Sequence, residues 1–223
     1  THDIARLRRE YSLRELRKSG VLPDPIKQFG VWFSEALAAD IVDPNAMTVA
    51  TVGSDGRPSA RILLLKGFDE RGFAFYTNLT SRKARQIDVS PWVALTFLWK
   101  EIERQVRIEG RVTQVSDEEA DEYFASRPRG SQIGAWSSNQ SALLASRADL
   151  ETRAAELERE FEGREVPRPP FWGGYRLAPD TIEESYGDPG AQAPFGRAPS
   201  GGCRRQGHGH SGQRGPRGGQ DFG

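Results

Sequence analysis

The chain holds 223 residues with 31 basic and 31 acidic side chains: length for one medium domain with appendages, and no net field favouring nucleic acid or a membrane surface. A single cysteine, Cys203, excludes an internal disulfide framework and fits a reducing cytoplasm; with histidine only at His2, His208 and His210, the body of the domain has no histidine-based metal site or triad. No apolar run nears the roughly 20 residues of a membrane-spanning helix, and the charged, amphipathic first residues do not read as a secretion signal.

Residues 3–18 place Ile4, Leu7, Tyr11, Leu13 and Leu16 at roughly helical spacing, and Gly20 offers a stop. Asp24-Pro25 opens a second helix, whose buried face is predicted to carry Ile26, Phe29, Trp32, Phe33, Ala36 and Leu37. Short strands follow: Met47–Val52, a turn over residues 54–58, then Ala60–Lys66 paired with Phe73–Tyr76 around the turn Asp69-Glu70-Arg71-Gly72. A short helix is predicted over about 81–89, then strands Trp92–Trp99 and Glu103–Val115. The last of these puts Val106, Ile108 and Val112 on one face, with Gln105, Arg107 and Glu109 on the other. Five or six strands at this spacing predict a closed antiparallel barrel with peripheral helices, a mainly β (α+β) fold.

Ser116 with Glu119 reads as a capping box for a helix ending near Tyr123–Pro128. After the segment Arg129–Ser141, a charged helix over about 146–162 turns Leu150, Leu157 and Phe161 inward. Pro167–Pro170 is a rigid linker into a final strand, Phe171–Leu177. Composition changes at Glu183: residues 184–223 contain no Leu, Ile, Val or Met and hold 12 of the 24 glycines. Such a segment buries too little apolar surface to offset its ordering entropy, so disorder is expected, and His208-Gly209-His210 reads as part of it rather than as a metal site. The expected organisation is a helical segment (1–20), one domain (21–183) and a Gly/Arg/Pro-rich tail (184–223).

Arg61 to Lys83 concentrates the chemistry. Arg61 and Lys66 end one hydrophobic run, and Ser81 stands where it can N-cap a helix whose first turn holds Arg82 and Lys83. Free backbone N–H groups, the helix dipole and paired cations suit a phosphate. An exposed basic first turn is the alternative; Arg61 and Lys66 favour the phosphate.

Several separated motifs resemble the pyridoxine (pyridoxamine) 5′-phosphate oxidase family: LRREY (7–11), DPNAMTVATV (43–52), RILLLK (61–66), FYTNLTSRKARQI (75–87), ERQVRIEGRV (103–112), YFASRPRGSQIGAW (123–136) and PPFWGGYRL (169–177). The resemblance implies an FMN-binding split β-barrel and a homodimer with FMN at the subunit interface. It places Arg61, Lys66, Tyr76, Thr77, Ser81, Arg82, Lys83 and Gln105 at FMN-contacting positions, with Gln140 and Ser141 donated by the partner subunit. Lys66, Tyr123, Arg127 and Ser131 match positions holding the substrate phosphate, and Arg8 and Tyr11 a segment closing over the site. Spacing alone leaves Tyr123 equally readable as a core aromatic and Arg127 as a cation at a helix C-terminus. The implied reaction is oxidation of pyridoxamine or pyridoxine 5′-phosphate to pyridoxal 5′-phosphate, with O₂ as acceptor. No barrel side chain is an obvious strong base, which suits flavin chemistry dominated by orientation.

The chain departs from the family after Thr181-Ile182-Glu183. The family continues with a Phe-Trp pair, an Arg-Leu-His-Asp-Arg motif and a closing Arg-Leu-Ala-Pro strand; Glu184-Ser185-Tyr186-Gly187 follows here, and nothing later supplies those motifs. The expectation is a sequence whose original reading frame was lost near Glu183, with an uncovered barrel edge and impaired oxidase activity. Two other readings stand beside it: a related split-barrel flavin oxidase on another substrate such as a phenazine precursor, and a non-catalytic FMN- or pyridoxal-phosphate-binding protein.

Overall fold

The computed structural model describes residues 22–137, 147–186 and 192–194. The expected first helix with Arg8 and Tyr11, the residues Gln140 and Ser141, and Cys203, His208 and His210 lie outside them.

Helix α1 (Pro25–Ala38) starts as its sequence requires: Pro25 occupies the first turn, and the Asp24 carboxylate accepts from the N–H groups of Ile26 and Lys27 at 3.0 and 3.2 Å. Phe29, Trp32 and Ala36 are buried, whereas Leu37 is 54% exposed, one position off the buried stripe. Phe29 meets Phe68, Phe73 and Phe97 with ring centroids 4.9–5.2 Å apart. The helix therefore joins the barrel core through one aromatic cluster.

The sheet contains β1 (Ala46–Val52), β2 (Pro58–Leu64), β3 (Gly67–Asp69), β4 (Gly72–Asn78), β5 (Trp92–Trp99), β6 (Arg104–Gln114), β7 (Trp172–Tyr186) and β8 (Gln192–Pro194). Its order is β2-β1-β5-β6-β7-β4-β3, all antiparallel, with β8 pairing β7. The pairing expected between Ala60–Lys66 and Phe73–Tyr76 does not form. The Asp69–Gly72 turn instead joins β4 to β3, while β2 pairs with β1 over seven residues. β2 and β3 are the two ends of the sheet yet only Leu65 and Lys66 separate them. Leu65 N–H donates to Asn45 O at 2.8 Å and Lys66 N–H to Ala74 O at 2.9 Å, so these two residues bridge the ends and curl the sheet into a barrel. Lys66 thereby stands at the seam.

Helix α2 (Arg82–Val89) follows β4, and α3 (Asp117–Ala125), α4 (Arg129–Ser137) and α5 (Arg147–Glu160) form a second layer. Phe124, Ile133, Leu157, Phe161 and Trp172 make its separate core. Glu119 N–H donates to Ser116 Oγ at 3.2 Å, but the Glu119 carboxylate does not return the bond: it accepts from Arg176 Nη2 at 2.5 Å and Tyr76 OH at 3.4 Å. Only half of the capping box forms, because a partly buried guanidinium outcompetes an exposed N–H for the carboxylate. The residues Arg129–Ser137, unassigned from the sequence, are helix α4.

β7 is eight residues longer than the predicted strand and continues three residues past the composition change. Its distal half pairs with β6 as far as Tyr186, and β8 covers Glu183–Ser185 on the other side. The Glu184 side chain is fully buried, with Arg104 Nε 2.7 Å from Oε1; Arg104 Nη2 lies 2.7 Å from Glu35 Oε2 on α1. Arg104 offsets part of the cost of burying this carboxyl, while the burial itself favours the neutral acid.

Candidate functional site

A cavity of about 480 Å³ opens where the barrel core meets the α3–α4 layer, and its wall includes Lys66, Tyr76, Thr77, Tyr123, Arg127 and Ser131. These residues come from the seam after β2, from β4, and from the C-terminal half of α3 with the first turn of α4. Sequence separation of 65 positions between Lys66 and Ser131 is closed by the sheet, and all four positions matched to a substrate phosphate line one space.

Three aromatic rings stack along its side. Tyr76 lies 4.0 Å from Tyr123 and 5.4 Å from Trp172, with planes within 21°. The Arg127 guanidinium carbon stands 4.9 Å from the Trp172 ring centre and 5.5 Å from that of Phe124. Burial holds the Arg127 pKa below its ordinary value, and its buried Nη1 has no acceptor among the described residues. A desolvated cation with a free donor, beside Lys66 and the Ser131 hydroxyl, fits an anion. Tyr76 is held neutral: burial and then Glu119 push its hydroxyl up to about 12.

A second group of cations lies at the start of α2. Ser81 caps the helix, accepting from Ala84 N–H at 3.4 Å. Lys83 Nζ donates to Thr77 Oγ1 at 2.8 Å and to Ser81 Oγ at 3.2 Å, and burial followed by the nearby Arg61 pushes its ammonium down to about 8. Arg61 donates from Nη1 to Val49 O at 2.9 Å and Thr51 Oγ1 at 2.8 Å, and from Nη2 to Ser59 Oγ at 2.6 Å. Burial and Arg82 lower its pKa. Arg61, Arg82 and Lys83 thus repel one another around a helix N-terminus, an arrangement that a bound phosphate would relieve. The donor set fits the phosphate of FMN. Gln105 is exposed on the polar face of β6, its Nε2 donating to Ser185 Oγ at 3.3 Å.

Trp172 and Glu119 have structural parts in these sites that spacing did not single out. The PPFWGGY string held Trp172, but its place beneath Arg127 depends on the packing of β7 against α3. Glu119 signalled only a cap.

The family model for pyridoxamine 5′-phosphate oxidase matches residues 33–160. The pyridoxine/pyridoxamine 5′-phosphate oxidase of Rubrobacter xylanophilus is 63% identical over 181 residues, covering 81% of this chain and 83% of that protein. The enzyme of that name from Burkholderia multivorans is 57% identical over 186 residues, 83% of this chain and 86% of that protein. Among solved structures, PhzG from Burkholderia lata 383, in complex with tetrahydrophenazine-1-carboxylic acid, superposes with a TM-score of 0.78 at 30% identity, covering 85% of this chain and 95% of that one. A pyridoxamine 5′-phosphate oxidase-related, FMN-binding protein from Nostoc punctiforme shares the fold, with a TM-score of 0.57 at 19% identity over 70% of this chain and 82% of that one. With its split-barrel architecture and these relatives, the chain belongs to the pyridoxamine 5′-phosphate oxidase family.

Proposed function

We propose that this protein oxidises pyridoxamine or pyridoxine 5′-phosphate to pyridoxal 5′-phosphate, using FMN and O₂, at a rate lowered by its altered ending. The observation that carries the substrate assignment is the buried Arg127 Nη1, without a hydrogen-bond partner among the described residues, in a cavity also lined by Lys66, Tyr123 and Ser131. Two cations with two hydroxyl donors suit a dianionic phosphate. Bound FMN would supply the hydride acceptor for the substrate C4′ and the route for electrons to O₂. Ser81, Lys83, Arg82 and Arg61 hold its phosphate, and Tyr76, Thr77, Lys66 and Gln105 its remaining polar groups. Arg127, Lys66, Tyr123 and Ser131 fix the substrate phosphate and so set which carbon faces the ring. The Tyr76–Tyr123–Trp172 stack excludes water from one wall. Among the described residues no side chain lining the cavity is an obvious strong base, which suits catalysis by positioning.

A homodimer completes the reading, with Gln140 and Ser141 reaching the partner's site and Arg8 and Tyr11 closing over the chain's own. Across the outer face, Ile62, Thr48 and Thr96 stand in one row and Ala60, Ala50 and Ala94 in the next, bordered by Arg107 and Glu109 on β6. Such an apolar face with a charged rim suits a second copy.

The ending from Glu184 onward lacks the family's FMN-site Trp and Arg and its substrate-site Arg and His. Each lost charged contact in a desolvated site costs about 2–5 kcal/mol. We read the tail as a frame-altered segment; resequencing the gene around the Glu183 codon tests that, an intact upstream frame with no family ending nearby counting against it. The likeness to PhzG favours a second reading, an oxidase of a carboxylated ring compound, in which Arg127 would pair with a carboxylate. Turnover of pyridoxamine 5′-phosphate and of a dihydrophenazine carboxylate, measured beside a chain with a restored family ending, separates the two. Activity of the restored chain on neither substrate would overturn both.

A further inference from the structure

One buried amide outside the residues assigned above reaches Arg61 through two hydroxyls. Gln86 lies on the inner face of α2, three residues after Lys83, and is 8% exposed. Its Oε1 accepts from Thr51 Oγ1 at 2.6 Å and from Ser59 Oγ at 2.7 Å. Each hydroxyl has one proton, and Arg61 offers only donors. The polarity of the network is therefore set: both hydroxyl protons go to Gln86, and both hydroxyl oxygens accept from Arg61, at 2.8 and 2.6 Å. The same logic orients the amide, since its nitrogen could take neither proton. With Val49 O accepting as well, three of the five guanidinium N–H groups are committed to the barrel wall. The Nε–H and one Nη2–H remain. Without the amide oxygen, Thr51 Oγ1 and Ser59 Oγ, 3.5 Å apart, would be left to bond to each other or turn their protons toward Arg61.

We propose that Gln86 is a positioning residue for the cofactor phosphate: by taking the Thr51 and Ser59 hydroxyl protons it holds Arg61 with its remaining N–H groups turned to the phosphate at the start of α2. Gln86 does not touch the phosphate itself, and the inference rests on the FMN reading above. α2 then supplies both ends of the site, its first turn binding the phosphate and its second turn aligning the cation opposite.

The test is titration of deflavinated protein with FMN, followed by flavin fluorescence, with riboflavin as the probe lacking phosphate. Gln86→Leu is expected to lower FMN affinity by about tenfold or more, the scale of one well-placed charge-assisted hydrogen bond, and to leave riboflavin affinity within about twofold. In an Arg61→Met background the same change should cost FMN nothing further, because its effect passes through Arg61. A structural role would instead lower both ligands' affinities and add to the Arg61→Met loss, and that result overturns the proposal. Should Gln86→Leu fail to fold, Ser59→Ala, at a half-buried strand position, reads the same network and is expected to cost FMN severalfold and riboflavin nothing; unchanged FMN affinity there overturns it as well. A parent protein that binds FMN no better than riboflavin would remove the phosphate-site reading itself.

Discussion

Replacing Arg127 with methionine separates what this residue does for the fold from what it does for a ligand. In the fold its contributions oppose one another. A buried donor without a partner costs about 1–3 kcal/mol, and Nη1 finds none among the described residues. The guanidinium over Trp172 and Phe124, at 4.9 and 5.5 Å, returns about 0.5–2 kcal/mol. Methionine keeps the apolar stem and removes both. The balance is near zero, so Tm should move by less than about 4 °C in a domain of this size. Toward a phosphorylated ligand the change is one-sided. Losing one partner of a desolvated charge pair costs about 2–3 kcal/mol in a cavity open to solvent, or roughly 30- to 150-fold in affinity. Calorimetric titration of FMN-loaded protein with pyridoxal 5′-phosphate, and with pyridoxal as control, reads this directly. Affinity for the phosphate form should fall by that factor, with pyridoxal unchanged. Retention of pyridoxal 5′-phosphate affinity within threefold, or a Tm loss above about 10 °C, would refute the reasoning and return Arg127 to a structural cation.

Lys83 carries a pH dependence. Its ammonium is pushed down to about 8 by burial and Arg61, so the unfolded chain, with an ordinary value near 10.5, binds more protons between pH 8 and 10.5; this contribution to stability grows with pH across that window. FMN affinity should run the other way, falling above pH 8 by up to about tenfold per pH unit for one proton, and Lys83→Gln should flatten the slope in a fluorescence titration. Glu184 is pushed up to about 8 by burial, with Glu35 adding and Arg104 opposing. A raised carboxyl value means its contribution is fully present below about pH 4.5 and lost as pH rises toward 8. Glu184→Gln should therefore be better tolerated at pH 8.5 than at pH 5.5, and equal shifts in thermal melts at the two values would contradict the assignment. Gly110→Ala would set a Cβ 2.1 Å from Ala178 O at the β6–β7 bulge and should cost about 3 kcal/mol or more, read as a lower urea midpoint.

What the sequence made legible is local chemistry. Ser81, Asp24 and Ser116 cap helices as read, because an N-cap depends on a residue and the N–H groups two or three positions on. The grouping of Arg82 and Lys83 in the first turn of a helix capped by Ser81 was visible for the same reason. Strand partnership was less so. Ala60–Lys66 looked like half of a hairpin with Phe73–Tyr76, yet Gly67–Asp69 takes that place, and β2 instead pairs with β1 across the turn at residues 53–57. The apolar run RILLLK hid an alternation in which Ile62 and Leu64 face outward, at 64% and 39% exposure. Helix α4 was masked by Gly130 and Gly134, weak helix formers held by packing of Ile133 onto Phe124 and Leu157. Glu184 read as the start of a polar tail because its counter-ion, Arg104, lies eighty positions earlier on the neighbouring strand. The roles of Gln86 and Trp172 likewise depend on partners brought by topology rather than spacing.

The most direct measurement is anaerobic: FMN-loaded protein mixed with saturating pyridoxamine 5′-phosphate, followed by the visible absorption of the flavin. Bleaching, slower than in a chain with the family ending restored, is the predicted result, and would mean that Lys66, Tyr123, Arg127 and Ser131 suffice to present the substrate. A fully loaded flavin that stays oxidised would contradict the proposed function.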